Sequence, residues 1–153
     1  MPESYDVVIV GAGLAGLTAG LVGARFGLNV VVVDQGATGG QVLNVEKIEN
    51  YPGFPEGIAG FDLGPLVMDQ AAAAGASFEM DSVTGLEPNT AWLRDVVDLD
   101  SAGHIVTDLH LHTSTPGVFA AGDIRQGSAR LLAAAAGDAA TAAANAFRYL
   151  KGA

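Results

Sequence analysis

A glycine turn between two apolar runs is the feature that most constrains the fold of this chain. The run Val7–Val10 leads directly into Gly11–Gly16, which reads GAGLAG, and small residues at helical spacing continue to Phe26. A second apolar run, Val30–Val33, ends at Asp34. The order of strand, glycine turn, helix, strand and acid is that of a dinucleotide-binding βαβ unit. The pattern therefore predicts two parallel strands joined by a helix.

The glycines of this turn have separate physical roles. Gly11 allows the chain to turn sharply, Gly13 has no side chain to obstruct a pyrophosphate, and Gly16 allows close packing of helix and sheet. Unpaired N–H groups at the helix start face the phosphates, and Asp34 accepts hydrogen bonds from a ribose hydroxyl. The alternative is a flexible glycine turn without a ligand, but the complete context favours an adenine dinucleotide. The predicted contacts in this unit come from Gly11, Ala12, Gly13, Leu14, Ala15, Asp34 and Gln35.

Composition limits the classes of partner and the compartment. A chain of 153 residues is about one domain long. Its net charge of −10, with only 7 Lys and Arg residues, argues against nucleic acid and against an anionic membrane surface. No apolar run approaches the length of a membrane span, and no signal-peptide pattern is present. We therefore expect a cytoplasmic protein.

The remainder of the sequence predicts further elements of one compact domain. We predict helices over Gly60–Ala74 and from about Ser128 to Lys151, and a weak strand over Ser77–Val83. Short extended segments at Val96–Leu99 and His104–Val106 are joined by a hairpin-like turn. The predicted class is α/β, with a parallel sheet, helices on both faces and a short antiparallel excursion.

A second element, Gly122-Asp123, follows the apolar run Val118–Ala121. If that run pairs beside Val7–Val10, Asp123 emerges at the crevice that faces the glycine turn. A carboxylate would repel a pyrophosphate, so Asp123 would accept hydrogen bonds from sugar hydroxyls. The alternative is that Gly122-Asp123 only closes a strand and caps a turn, and the residues alone leave both readings open.

An ordered set of motifs resembles the FAD domain of the thioredoxin reductase family, and the likeness extends over nearly the whole chain. The motifs are Val7–Asp34, Gly39–Gln41, Glu49–Gly53, Glu87–Thr90 and Thr113–Asp123. The resemblance implies a three-layer Rossmann-like fold of the FAD/NAD(P)-binding type. It also implies FAD, rather than NAD, as a non-covalent cofactor.

The resemblance also assigns roles to residues outside the glycine turn. It implies that Gly122 and Asp123 hold the ribityl and pyrophosphate region, and that the last helix points its N-terminus at the pyrimidine end of the flavin, where its dipole favours the reduced form. Arg130 matches the family's Arg-Gln-Ala and would bond the flavin or a phosphate, whereas Leu131 cannot make the bond of the Gln. The further residues that the resemblance places at the cofactor are Gly39, Gly40, Gln41, Asn50 and Leu132.

The family inserts an NADPH-binding domain that this sequence lacks. The insertion lies between Gly85 and Glu87 and carries its own glycine fingerprint and, in the reductases, a Cys-x-x-Cys pair. Here Gly85 is followed by Leu86 and Glu87, and the chain contains no Cys. Without a thiolate no dithiol–disulfide exchange can occur. We expect a single FAD-binding domain over 1–153, made of parts 1–85 and 86–153 and minimised by evolution or by design.

Three classes of function are compatible with this pattern. We favour a binding scaffold or electron-transfer flavoprotein, reduced by an external donor or by light, without thioredoxin reductase activity. The alternatives are a small flavin-dependent oxidoreductase or oxidase, and a subunit that works with a separate NAD(P)H-binding redox partner protein. Ala-rich faces on the last helix, and pairing through FAD domains in the family, are compatible with a homodimer.

Other polar clusters predict no separate site. His110 and His112 share one strand face, but two ligands make a poor metal site, so we interpret them as an exposed edge and predict no metal. The acids Asp95, Asp98 and Asp100 fit an exposed hairpin. No pattern resembles a nucleophile beside a base, and we predict no catalytic residue. By family resemblance, Tyr51 is expected near the flavin.

Overall fold

The computed structural model describes residues 4–36, 38–80 and 96–152. Three strands, β1 (Val7–Val10), β2 (Val30–Asp34) and β3 (Ser77–Met80), form a parallel sheet in the order β1-β2-β3. The register pairs Val8 with Val31 and Val32 with Phe78. β1 and β2 confirm the predicted βαβ unit, and residues 81–83 of the predicted third strand lie outside the described residues.

Three helices accompany the sheet: α1 (Leu14–Arg25), α2 (Gly60–Ala73) and α3 (Leu132–Lys151). α2 ends at the predicted glycine, since Gly75 adopts a φ of +107° and its N–H bonds the carbonyl of Ala72 at 2.9 Å. α3 begins later than predicted because Arg130 has a left-handed φ of 52°, which interrupts the helical path. The helices therefore confirm the predicted elements and correct one boundary.

One face of the sheet carries the core that positions the glycine turn. Leu17 and Val32 are fully buried there, with Ile9, Met68 and Phe78 packed against them, so α1 and α2 cover the same face. α3 packs chiefly along α1. On the opposite face Val8 and Val10 are 59% and 58% exposed. The α/β class is confirmed, with α1 and α2 packed against one face of the sheet.

The run Val118–Ala121 does not pair with β1. Phe119 forms an isolated antiparallel bridge with His112 instead, and the N–H of Ala120 bonds the carbonyl of Leu111 at 3.2 Å. Local pairing within residues 111–120 thus takes the place of the predicted long-range pairing. In the described part of the chain, β1 is consequently an edge strand of the sheet.

The predicted antiparallel excursion is present as a tight turn. Leu99 bridges Ile105, and the N–H of Asp100 bonds the carbonyl of His104 at 2.8 Å. Val97, Ile105 and Ala120 form a small core beneath it. The motif Glu87–Thr90, Gly85 and Asp95 lie outside the described residues. No helix within the described ranges is long and apolar enough to cross a membrane.

Candidate functional site

The glycine turn has the predicted geometry. Gly11 adopts a φ of +102°, which favours glycine. A Cβ at Gly16 would lie 1.8 Å from the carbonyl oxygen of Gly11, so the close approach of helix and turn requires glycine there. A Cβ at Gly13 would meet no heavy atom within 4 Å, because open space lies beside this residue. The first helical turn is therefore accessible where a pyrophosphate would approach.

The start of α1 offers a free donor to that space. Gly13 is the N-cap and supplies no side-chain hydrogen bond, and the first turn carries no acidic residue. The N–H of Leu17 bonds the carbonyl of Gly13 at 3.0 Å, and the parallel bridge between Gly13 and Gly39 engages the N–H of Leu14. The N–H of Ala15 has no partner in the ranges that the structure describes. Free N–H groups at the positive end of a helix dipole form a site for an anion.

Gly39 and Gly40 lie directly against the turn. The N–H of Gly39 bonds the carbonyl of Ala12 at 2.8 Å, and a Cβ at Gly40 would lie 3.2 Å from the Cα of Gly13. Gly40 opens a 3₁₀ turn over Gly40–Asn44 that contains the exposed Gln41. The structure thus brings Gly39 and Gly40, which only the family resemblance placed at the cofactor, next to the glycine turn.

Asp34 ties the end of β2 to the same turn. Its Oδ1 accepts a hydrogen bond from the N–H of Gly36 at 2.8 Å, and its Oδ2 accepts one from the N–H of Ala12. Gln35 is exposed beside it. A carboxylate keeps further lone pairs when it accepts two N–H groups. Asp34 is therefore at the position from which it can also receive a ribose hydroxyl.

Gly122 reaches the turn although its strand does not pair with β1. It adopts a φ of +80°, and a Cβ there would lie 3.0 Å from the Cβ of Ala15 and 3.7 Å from that of Ala135. Gly122 therefore fills the narrow gap between α1 and α3. Asp123 follows it, exposed, and its Oδ1 accepts a hydrogen bond from the Ser128 hydroxyl at 3.0 Å. The Gly122-Asp123 element and the glycine turn, between which the crevice was predicted, thus lie next to each other.

Sequence reasoning missed the ion pair that holds Gly122 in place. Asp138 of α3 accepts hydrogen bonds from Arg125 Nε at 2.6 Å, from Arg125 Nη2 at 2.9 Å and from the N–H of Gly122 at 3.2 Å. The hydrogen bond to Asp138 raises the pKa of Arg125. A signal was available, because Asp138 is the only acid in the otherwise Ala-rich α3.

The start of α3 forms the apolar side of the site. Leu132 packs with Leu14, Val42 and Tyr51 in one cluster. Leu131, half-exposed, is the N-cap and supplies no side-chain cap. Asn50 is exposed beside Tyr51 in a loop that lines a cavity of about 340 Å³. Tyr51 therefore packs in the same cluster as Leu14, the first residue of α1, and its expected proximity to the flavin stays a prediction.

Arg130 precedes α3 at the edge of this arrangement. Its Nη2 lies 3.4 Å from Nε2 of His104, and its side chain is exposed. A second cavity, of about 450 Å³, adjoins Arg125 and Asp138 and has none of the predicted cofactor-binding residues in its lining. His112 bonds Asp108, and the part of the chain that the structure describes contains no group of three or more His, Cys, Asp or Glu residues that could hold a metal ion.

Comparison with known proteins identifies the family to which the chain is similar. Residues 6–44 match the family model "FAD binding domain", and residues 73–139 match "Pyridine nucleotide-disulphide oxidoreductase". The chain is 36% identical over 122 residues to a thioredoxin reductase of Treponema pallidum. This alignment covers 80% of this chain and 36% of the relative. It is 43% identical over 74 residues to a thioredoxin reductase of Listeria monocytogenes, or 48% of this chain and 23% of the relative.

Solved structures share the fold at low sequence identity. Thioredoxin reductase from Lactococcus lactis aligns with a TM-score of 0.88 at 19% identity, over 98% of this chain and 100% of that chain. Thioredoxin reductase from Gloeobacter violaceus aligns with a TM-score of 0.88 at 19% identity, over 98% of this chain and 97% of that chain. These alignments confirm the Rossmann-like α/β fold.

The residues present fit the cofactor that the family models indicate, which is FAD. Open space beside Gly13, the free N–H of Ala15 and the neighbouring Gly122 together form a cradle for an adenine dinucleotide. The chain spans about a third of the Treponema relative, 36%, so activities of the whole relative do not transfer with the match. The chain belongs to the thioredoxin reductase family and represents its FAD-binding domain.

Proposed function

We propose that this chain binds one FAD non-covalently and acts as a minimal flavoprotein, with a single FAD-binding domain over 1–153. The observation that carries the proposal is the open space beside Gly13, which adjoins the free N–H of Ala15 in the first turn of α1. Gly39, Gly40 and Gly122 approach the same place with no side chain of their own. This arrangement leaves room for a phosphate-containing ligand and offers it a donor.

The proposed division of roles follows the chemistry of each side chain. Backbone donors of the glycine turn and of α1 bind the pyrophosphate, while Asp34 and Asp123 accept hydrogen bonds from sugar hydroxyls. Tyr51 and Leu132 form an apolar wall for the ring system. The proposed cofactor-binding set is Gly11, Ala12, Gly13, Leu14, Ala15, Asp34, Gln35, Gly39, Gly40, Gln41, Asn50, Gly122, Asp123, Arg130, Leu131 and Leu132.

The proposed activity is electron transfer without disulfide chemistry. Bound FAD supplies one-electron and two-electron redox chemistry, and the chain orients it and excludes water from one side. The sequence contains no Cys, so a dithiol that could pass electrons to thioredoxin is absent from it. Cytoplasmic location, a homodimer and a redox partner protein stay predictions that accompany this proposal.

Titration of the purified chain with FAD tests the proposal, and two glycines offer a matched pair of variants. At Gly13 and at Gly137 an added Cβ would meet no heavy atom within 4 Å, so both Gly→Ala variants should fold. Only Gly13→Ala places a methyl group where the pyrophosphate approaches. We expect wild type and Gly137→Ala to bind FAD with equal affinity, and Gly13→Ala to bind at least about tenfold more weakly, or about 1.4 kcal/mol.

Flavin absorption and fluorescence anisotropy measure the dissociation constants, and circular dichroism checks that each variant is folded. A folded wild type that ignores added FAD would contradict the proposed function. Equal affinity of Gly13→Ala and Gly137→Ala would contradict the placement of the pyrophosphate, even if FAD binds.

A further inference from the structure

Two turns in the described chain share the pattern Asp-x-x-x-His. In the first, Asp100 Oδ1 accepts hydrogen bonds from the N–H groups of Ala102 and His104, both at 2.9 Å. In the second, Asp108 Oδ1 accepts them from His110 at 2.8 Å and His112 at 2.9 Å. The Oδ2 atom faces Nδ1 of the histidine at 3.4 Å in the first turn and 3.1 Å in the second. Each aspartate thus orients one imidazole through Nδ1.

The two imidazoles differ in what their other nitrogen meets. Nε2 of His104 lies 3.4 Å from Nη2 of Arg130. The ring of His112 packs against Phe119 instead, with centroids 5.0 Å apart. A guanidinium can only donate, so Nε2 of His104 must be the acceptor and Nδ1 must carry the proton that points to Asp100. His104 is therefore neutral when it holds Arg130.

A neutral acceptor orients a cation without cancelling its charge. Arg125, on the segment that packs against Ile105, is paired with Asp138, whereas no carboxylate forms a salt bridge with Arg130 within the described ranges. The carboxylate that faces His104 is that of Asp100, in its own turn, while the carboxylate of Asp123 accepts a hydrogen bond from the Ser128 hydroxyl. Arg130 is thus a cation at the start of α3 whose charge stays available.

We propose that His104 is a positioning residue that holds the Arg130 guanidinium at the start of α3 for an anionic ligand. The proposal rests on the proposed function, in which that ligand is FAD. The backbone of Arg130 is fixed as well, because its N–H bonds Ser128 Oγ at 3.2 Å and Ser128 donates to Asp123. Turn 100–104 and the Gly122-Asp123 element therefore hold Arg130 from two sides.

A double-mutant cycle tests whether His104 acts through Arg130. The variants are His104→Leu, Arg130→Ala and the pair, with FAD affinity as the measurement. Arg130→Ala should raise the dissociation constant about tenfold, as loss of one charge-assisted hydrogen bond does. His104→Leu should raise it severalfold in the wild-type background and leave it unchanged when Arg130 is already Ala.

Two further variants separate this role from a general structural one. His112→Leu removes the histidine of the matched turn and should leave the affinity unchanged in both backgrounds. His104→Gln supplies a neutral acceptor that cannot be protonated, so it should retain affinity.

A readout without FAD keeps the two proposals distinct. Long-range ¹H–¹⁵N spectra of the free chain should show His104 with a protonated Nδ1, and Arg130→Ala should shift Nε2 of His104 but not that of His112. A chain that binds FAD but shows additive effects and no such shift overturns the inference and leaves the proposed function standing. The spectral shift without any FAD binding overturns the proposed function, while the positioning of Arg130 by His104 stands.

Discussion

Asp138 shows how one side chain can fix the backbone of a segment that we propose as a cofactor contact. It reaches from α3 to the segment that carries Gly122 and Asp123, where its carboxylate receives the N–H of Gly122 and both Nε and Nη2 of Arg125. The Arg125 and Asp138 side chains are only 20% and 15% exposed. Because both charges are largely removed from water, each depends on the other for compensation.

We therefore expect Asp138→Asn to destabilise the fold and to weaken FAD binding. The variant keeps the size of the side chain but leaves the Arg125 charge without its partner, and the free energy of unfolding should fall by about 2 kcal/mol. Urea denaturation of the free chain measures this change. Asp69→Asn, at an exposed position on α2, is the control and should leave stability and affinity unchanged. Equal stability of the two variants would refute the role of Asp138.

At the scale of elements, the two Asp-x-x-x-His turns make the stability of the fold depend on pH. The pKa of Asp100 is lowered, first by the backbone N–H of His104. For Asp108, desolvation raises the pKa, but hydrogen bonds from His112 and His110 outweigh it, so the pKa is also lowered. A carboxyl whose folded pKa lies below its unfolded value stabilises the fold fully above the unfolded pKa, near 3.8, and loses that contribution as the pH falls through the folded pKa.

The variant with Asp100→Asn and Asp108→Asn should therefore be less stable than wild type at pH 7 and should lose less stability on acidification from about pH 5 to about pH 3. Thermal unfolding followed by circular dichroism at each pH measures both effects. Asp69→Asn serves again as the control and should follow the wild-type curve. Parallel curves for the double variant and the wild type would show that the two turns do not contribute.

The elements that local patterns specify could be predicted from the sequence. β1, α1 and β2 follow from apolar runs and glycine spacing, and the roles of Gly11 and Gly16 follow from backbone geometry. The partner of Val118–Ala121 could not be predicted, because pairing depends on competition between a nearby segment and a distant strand. Similarly, the left-handed Arg130 that delays α3 has no periodic signature.

For the candidate site, sequence reasoning found the glycine-rich elements but missed the side chains that hold them. Family resemblance alone placed Gly39 at the turn, whereas Gly122 was placed there first by an assumed pairing of Val118–Ala121 beside β1 and then by resemblance. Their contacts with Ala12 and Ala15 now give that placement a geometry. The pairs Arg125–Asp138 and His104–Arg130 join side chains from separate elements. Such pairs leave no pattern of spacing, so they emerge only when the chain is folded.

The molecule as a whole combines one nucleotide cradle with a sequence that has no thiol. Gly39, Gly40 and Gly122 all lie close to the glycine turn of the βαβ unit. The family resemblance predicts an NADPH-binding insertion between Gly85 and Glu87, where this sequence has only Leu86. Transfer of a hydride needs the donor ring held close to the acceptor in a defined orientation. Collision in solution supplies no such orientation.

We therefore expect the FAD-loaded chain to oxidise NADPH no faster than free FAD at the same concentration. The measurement is the loss of NADPH absorption under anaerobic and aerobic conditions, with chemical reduction by dithionite as the control that the bound flavin accepts electrons. A separate NADPH-dependent flavin reductase can then be added. Reduction of the bound flavin in its presence would show that electrons reach this flavin from another protein. Turnover by the chain alone that clearly exceeds free FAD would contradict the scaffold proposal and favour a small oxidoreductase, because the binding energy of NADPH would then be used for orientation by this chain itself.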